Sequence, residues 1–488
     1  MGYGGNKPPV VINIGVPKAD FDAHKKDYVS VKAFGAHSID EVGYEAFDST
    51  TALQNAVDEG KDVLVPYRIL ISAPITITKH GQKIYGYSKG DSTYFGSQIV
   101  SVNDIEFFKV YGWYTLFEGL NLYCSNVSHS KKHIQSYDSH GMQVVNCRID
   151  GMDSSAIGGG IGYGDGLGGY GSLMGIVDKC ILNHASIDIQ SSDIHITNSW
   201  VWANSRPYGI KINGSCANIS LIGVDIVPPV KTVVGRKAGV YITGAVIQPK
   251  VIGCYFDGVS SLATSTGILV ENGVLAPLIT DCHFNLLNDN ALVLDSVLCP
   301  IASNNTFYNN NGDADGSVDI LLQETFVQDM EKPLIQGNTH IQTTAIVGTT
   351  GPAIKVATGT TKKRMRIIDN TIQQPGTGGG YDNIEILLVD GYFASPVEGS
   401  LKGNAGTRRV YGTSGSKVIP VNDNYETILH PTYAMAYEPR VDQYVTNIVA
   451  TDPTSIDYSL VLTGSASNFA VRSPASHIEY TLHYNVSL

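Results

Sequence analysis

The sequence predicts an all-β chain: a right-handed parallel β-helix with an N-terminal capping helix and a C-terminal β-sandwich-like domain. Three observations carry that reading. The first is a phrase that recurs between residues 140 and 404: a small or polar residue, a variable one, then a large apolar one. It appears as Cys147-Arg148-Ile149, Cys180-Ile181-Leu182, Ser199-Trp200-Val201, Val224-Asp225-Ile226, Cys254-Tyr255-Phe256, Cys282-His283-Phe284, Asn305-Thr306-Phe307, Asn338-Thr339-His340 and Asn370-Thr371-Ile372, with Gly403-Asn404 as a last echo. Steps of 19 to 34 residues separate successive phrases, and a period of that length marks a stacked array. The second is another strand-like phrase in each repeat, such as Ile187-Asp188-Ile189, Ile210-Lys211-Ile212, Val240-Tyr241-Ile242 and Ile268-Leu269-Val270. These alternate with period two and are rich in β-branched residues, as strands require. The third is a single amphipathic helix ahead of the array, which suits a plug for the open end of an apolar stack.

Taken in order, residues 1–27 are Gly- and Pro-rich and then charged, and are expected to form an extended tether. Residues 28–140 hold the cap and the first irregular coils. Tyr28 to Ala36 is expected to be a strand ending in a turn. Asp48-Ser49-Thr50-Thr51 offers an N-cap. From Thr51 to Glu59 the residues Ala52, Leu53, Ala56 and Val57 share one face, and Gly60 stops the helix. The aromatics that follow, Tyr85, Tyr87, Tyr94, Phe95, Tyr111, Trp113, Tyr114 and Phe117, are expected to pack cap and core.

Residues 141–404 form the β-helix itself. Cys147, Cys180, Cys254 and Cys282 share one phase and are expected to form an inward ladder of small side chains. A metal site would need close local pairs such as C-x₂-C, and the sequence has none. The Asn-Thr-apolar phrases offer a further device, asparagines stacked at a turn. Residues 151–175 are expected to be a glycine-rich loop excursion. It matches G-x-G-x-x-G at Gly164, Gly166 and Gly169, but no βαβ unit surrounds it, so a nucleotide site is not expected. Further excursions at Ala203–Gly209, Val227–Gly239 and Gly258–Gly267 leave from one turn and should build one wall of a groove. Asp313-Ala314-Asp315-Gly316 lacks a Glu at the twelfth position of a calcium loop and is expected to be a turn. Beyond residue 405 the repeat is lost, and alternating strands in "EPRVDQYVTNIVA", "IDYSLVLTG" and "HIEYTLHYNVSL" predict a separate β-rich domain over 405–488.

Composition narrows the function classes. The chain is 43% apolar and only 16% charged, which suits tightly stacked strands. A net charge of −12 argues against a nucleic-acid partner. No apolar run approaches the length of a membrane span, and residues 1–27 show no signal-peptide pattern. Seven cysteines scattered singly argue against a disulfide framework and for synthesis in a reducing cytoplasm.

The stretch "VSVKAFGA…D…D…TTALQNAVDEGKDVLVP" resembles the start of the pectate-lyase-like β-helix superfamily, except that His37-Ser38-Ile39-Asp40-Glu41-Val42-Gly43 replaces its GDG loop. Within that superfamily the plan of short tether, cap, β-helix and separate β-rich C-terminus resembles bacteriophage tailspikes and capsular polysaccharide depolymerases. The resemblance implies a virion protein made in the host cytoplasm, a homotrimer, attachment to a phage tail or adaptor protein through the N-terminus, and a bacterial capsular or O-antigen polysaccharide as ligand. No cofactor is expected.

Alternation along the strands decides which side chains face solvent, and an outward surface of the middle coils gathers aromatics, cations and carboxylates. Glycoside hydrolysis needs two carboxyl groups roughly 5–9.5 Å apart. Glu271 and Asp295 fall in one column on consecutive coils, and Asp225 and Asp257 fall one strand step apart. These four are the acid/base candidates. Trp200, Trp202, Arg206, Tyr208, Lys211, Tyr241, Tyr255 and His283 are the substrate-contact candidates, because exposed rings stack on sugars and cations hold acidic groups. The Lys211–Tyr241 and Tyr255–His283 neighbours equally suit β-elimination on a uronic-acid polymer. Hydrolase, polysaccharide lyase and non-catalytic adhesin therefore all stand at this point.

Overall fold

A computed structural model describes residues 28–372, apart from 88–95, 152–157, 165–172, 231–237, 259–264, 311–316, 327–329, 343–351 and 358–364; beyond 372 it describes the backbone of individual strands. The expected tether, the Asp313 turn, the Gly403-Asn404 echo and the phrase "IDYSLVLTG" lie outside the described residues.

Strands of mostly three residues stack into three parallel sheets, of 13, 12 and 12 strands. Sheet 1 runs from Tyr28–Ser30 to Arg366–Ile368, sheet 2 from Ile69–Leu70 to Thr371–Gln373, and sheet 3 from Ile75–Ile77 to Ile384–Ile386. Each coil passes through sheets 1, 2 and 3 in turn, and each strand pairs with its equivalent one coil on. This is the right-handed parallel β-helix. The recurring three-residue phrase ends in sheet 2, with its middle residue outward and its third inward, as in Arg148–Asp150 and Ile181–Asn183. The second phrase forms sheet 3.

Sheet 1 escaped the sequence reading, which found two strands per coil where there are three. Its strands, such as Ile176–Asp178, His195–Thr197 and Ser220–Ile222, bury one central residue each: Val177, Ile196 and Leu221. A single inward side chain between turn residues leaves no period to detect.

Among the described residues, two corners of most coils turn through the left-handed backbone region. Before sheet 2 the turning residues are Asn146, Lys179, Asn198, Gly223, Gly253, Asp281, Asn304, Gly337 and Asp369. Before sheet 1 they are Gly81, Tyr114, Gly141, Met174, Asp193, Asn218, Gln248, Ala276, Cys299 and Lys332. Asn, Asp and Gly tolerate that conformation best, which explains their spacing.

The interior is one continuous apolar column. Phe256, Phe284, Phe307 and His340 stack face to face, with centroids 4.7, 4.8 and 4.7 Å apart. Cys147, Cys180, Cys254 and Cys282 are all buried in one phase, as expected. The column then changes chemistry. Asn305 donates its amide to Asn338 Oδ1 at 3.0 Å, and Asn338 donates to Asn370 Oδ1 at 2.9 Å. The same oxygens accept backbone N–H groups of the preceding coil, so this buried ladder leaves its amides satisfied.

The cap follows the prediction closely. The helix spans Thr50–Asp58 and buries Ala52, Leu53, Ala56 and Val57. Its N-cap Ser49 makes no side-chain cap bond; Asp48 Oδ1 accepts from Thr50 N instead, at 3.0 Å. The strand expected from Tyr28 to Ala36 stops at Ser30, and a 3₁₀ turn over Val31–Phe34 follows, closed by Gly35.

The glycine run also departs from expectation. Gly160–Tyr163 is not loop but a buried strand of sheet 3, paired on both sides. A Cβ on Gly160 would stand 1.8 Å from the Ser186 carbonyl oxygen, and one on Gly162 2.1 Å from the Gln135 side chain. Glycine is there for close coil contact, not for a ligand.

Past the β-helix, Ser414–Ile419 and Tyr444–Ala450 flank Tyr480–Val486 in an antiparallel sheet, and Glu426–Leu429 pairs with Asn468–Val471. Among the described residues no helix is long and apolar enough to cross a membrane.

Candidate functional site

The outward columns identified from the sequence belong to two different sheets, so the candidate residues form two surfaces rather than one. The excursions between them leave sheet 2 and enter sheet 3, after Trp202, Val227 and Asp257.

On sheet 2, Trp200, Asp225, Tyr255 and His283 stand in register on four consecutive coils. Trp202 lies beside Trp200 with ring centroids 5.7 Å apart, and His184 stacks on Trp202 at 5.6 Å. Tyr255 and His283 stack at 5.0 Å with their planes 8° apart. Asp225 is exposed on this row. Asp257 follows Tyr255 by two residues and accepts a hydrogen bond from Asn285 Nδ2 at 3.0 Å. One coil step and two residues along the strand place the two aspartate Cα atoms about 8 Å apart.

The electrostatics of this row act on Asp225. The side chains crowded around Asp225, and then the negative charge of Asp257, push its carboxyl up to about 6. Burial, followed by Asp257, raises the Tyr255 phenol. Burial lowers His283, against the pull of Asp257, which keeps its ring neutral near pH 7. The row thus offers a proton donor at mildly acidic pH, a nearby carboxylate held by an amide, and four rings.

Sheet 3 holds the other set. Asp188, Lys211 and Tyr241 stand in register. The Tyr208 hydroxyl donates to Asp188 at 3.2 Å, and Lys132 contacts the same carboxylate at 3.1 Å. The Lys211 ammonium lies 5.5 Å from the centre of the Tyr208 ring. The Tyr241 hydroxyl donates to Glu271 at 2.5 Å, and burial pushes that phenol up to about 12. The sequence places Asp188 in an outward column but does not point to Lys132, since the ion pair joins residues two coils of chain apart.

Glu271 and Asp295 are paired in register as expected, but their surroundings differ from the expectation. Asp295 is only 3% exposed, roofed by the segment that follows Gln323. Its carboxylate accepts from Gln323 at 2.9 Å, from Thr325 N at 2.8 Å, from the Thr325 hydroxyl and from Ser296. That is the bonding of a loop anchor. Arg206 also departs from its expected place on an exposed loop. It is fully buried, and its Nε donates to the His184 carbonyl at 2.7 Å. Its guanidinium lies against Gly151 and Gly159 of the earlier coils, where, after burial itself, its charge helps to lower the proton affinity of His129 and His133.

No family model matches the sequence, and no curated protein sequence matches it. Solved structures do match. The Dettilon tailspike protein (gp208) superposes with a TM-score of 0.59 at 13% identity, over 95% of this chain and 95% of that one. The A-module of the Azotobacter vinelandii mannuronan C-5 epimerase AlgE4 gives 0.53 at 13% identity, over 78% of this chain and 98% of that one. Bacteriophage CBA120 tailspike protein 3 gives 0.51 at 12% identity, over 79% of this chain and 63% of that one. At these identities the likeness is one of fold.

Proposed function

We propose that the chain is a phage tailspike that binds and cleaves a bacterial surface polysaccharide, capsular or O-antigen, by hydrolysis on the sheet 2 row. The observation that carries this reading is the Asp225–Asp257 pair: one carboxyl raised to about 6 beside another held by Asn285, within a row of aromatic rings. Asp225 in its protonated form would donate to the glycosidic oxygen as the bond breaks. Asp257 would stabilise the positive charge developing on the sugar and either attack it or activate water. Trp200, Trp202, Tyr255 and His283 would hold the sugar faces. Tailspike folds among the structural neighbours support the virion setting; a homotrimer and attachment through residues 1–27 belong to the same proposal.

A second reading has its own observation. Lys211 and Tyr241 adjoin on sheet 3, with Tyr241 bonded to Glu271. Lys211 would neutralise the uronate, Glu271 would take up the C5 proton, and Tyr241 would donate its own to the leaving C4 oxygen, which together serve β-elimination.

The test is digestion of a panel of capsular and O-antigen polysaccharides, with products read by mass spectrometry. Shortened products that carry added water support the hydrolase. Unsaturated uronate absorbance moves the chemistry to the Lys211–Tyr241 face. Unchanged polymer length after prolonged incubation leaves a non-catalytic adhesin.

A further inference from the structure

Four of the aromatic rings expected to pack the cap and core are instead exposed: Tyr87, at 64%, and three that share one corner. Tyr111 and Trp113 are each 43% exposed and Tyr114 is 55% exposed, whereas Phe117 is buried as expected. They lie on the corner between sheets 3 and 1 of the early coils, the one corner that sheet 2 does not touch.

The strip is built rather than incidental. The Trp113 ring stands between His80 on the coil before, at 5.3 Å, and His140 on the coil after, at 4.8 Å. His80 Nδ1 accepts the Trp113 backbone N–H at 2.9 Å, and His140 Nδ1 accepts that of Leu173 at 3.3 Å. Those bonds fix the neutral tautomer, so each ring carries its hydrogen on Nε2 as a donor. Beside them Tyr111 stacks on Tyr137 at 5.1 Å, and the Tyr137 hydroxyl bonds both oxygens of Glu106.

Tyr114 turns this corner and stays exposed. It occupies the left-handed corner position at φ +56°, where the coils before and after use Gly81 and Gly141. A Cβ on Gly141 would stand 2.5 Å from the Tyr114 ring, so the glycine makes room for it. The left-handed conformation itself is shared by this corner in later coils, at Met174, Gln248, Ala276 and Lys332 among others, so what sets Tyr114 apart is its exposed ring beside the space that Gly141 clears.

We infer that this strip is a second, non-catalytic carbohydrate-binding site, which takes the apolar faces of successive pyranose rings in the polymer. Flat rings with polar groups fixed at their edges match a sugar, which presents C–H faces and a rim of hydroxyls. Three coils extend the strip by about 10 Å along the axis, a linear shape suited to a chain ligand. The inference rests on the polysaccharide reading and adds an anchor remote from the cleaving row.

The experiment measures affinity for the polysaccharide that the chain binds best in the panel, in an Asp225→Asn background so that the polymer stays intact. Replacing Tyr111 and Trp113 together by Ala is expected to weaken binding about tenfold or more. Trp113→Leu keeps apolar volume without a ring face and should also weaken it, whereas Trp113→Phe should retain most of it. Thermal melting of the Leu and Phe variants is expected to match that of the parent. Unchanged affinity in the Ala and Leu variants overturns the second site and leaves the cleaving row standing. A fall in sedimentation coefficient in the same variants also overturns it, because a second copy of the chain would then be what covers the strip. Failure of the parent to bind any polysaccharide overturns this site and the polysaccharide reading together.

Discussion

Asp225 and Asp257 occupy neighbouring coils of one sheet, offset by two residues: Asp225 is paired with Tyr255, and Asp257 comes two positions later. That offset brings two carboxyls within each other's field, and the Asp225 carboxyl is pushed up to about 6.

Cleavage should therefore depend on protonated Asp225. The rate should fall as pH rises through about 6, because the proton donor is lost. Asp257→Asn removes the negative neighbour and should move the Asp225 titration to lower pH, while its own cleavage rate falls with the loss of the nucleophile or base. Asp225→Asn should cut the rate roughly 10²–10⁴-fold while leaving polymer binding intact. A pH–rate profile of the parent, the rate of Asp225→Asn and an NMR titration of the Asp225 carboxyl in Asp257→Asn check the three, and an unchanged Asp225 titration in Asp257→Asn would discard the pairing.

Asp295→Asn should act on stability before chemistry. Its carboxylate accepts from Gln323 and from the backbone and hydroxyl of Thr325 while almost fully buried. The amide replaces one acceptor oxygen by a donor facing donors, at a cost of about 1–3 kcal/mol. Glu271→Gln, half-buried and bonded to Tyr241, should be milder. Unfolding rates of the two variants compare them.

Asn338 sits in the middle of the amide ladder. Asn338→Ala removes the acceptor for Asn305 and its backbone, the donor to Asn370, and the donor to the Ala302 carbonyl. Several buried groups lose partners at once, so a loss of at least about 3 kcal/mol is expected. Denaturant unfolding, or its rate where unfolding is irreversible, measures it. A loss below 1 kcal/mol would mean that water refills the ladder.

Acid should destabilise the early coils. Burial, aided by Arg206, holds His129 down to about 4 and His133 well below its usual value of 6.5. The unfolded chain binds those protons first, so stability falls as pH drops below about 6.5 and levels off near 4 for His129. Asp225 acts in the opposite direction between about 4 and 6, but it is exposed, so its effect is smaller. Melting temperature measured from pH 7.5 to 4.5 should fall, with hydrogen exchange opening first around residues 129–133. A flat profile would refute the buried neutral pair.

What the sequence determined by itself is the stack. The recurrence of Cys180, Cys254, Cys282 and Asn305 at one phase fixes which side chains point inward, because each coil repeats the same backbone pairing and alternation then assigns every neighbour. The apolar stripe of Ala52, Leu53, Ala56 and Val57 fixes the cap in the same local way. Sheet 1 stayed hidden, since one inward residue such as Val177 or Ile196 makes no period. What the tertiary structure alone decided is what covers the outside: Arg206 buried against Gly151 and Gly159, Asp295 roofed by Thr325, Trp113 and Tyr114 left bare, and the four carboxylates divided between two sheets. Backbone hydrogen bonds repeat with the chain and so are written in its period. Coverage depends on where each unrepeated loop lands across several coils, and no spacing along the chain encodes that.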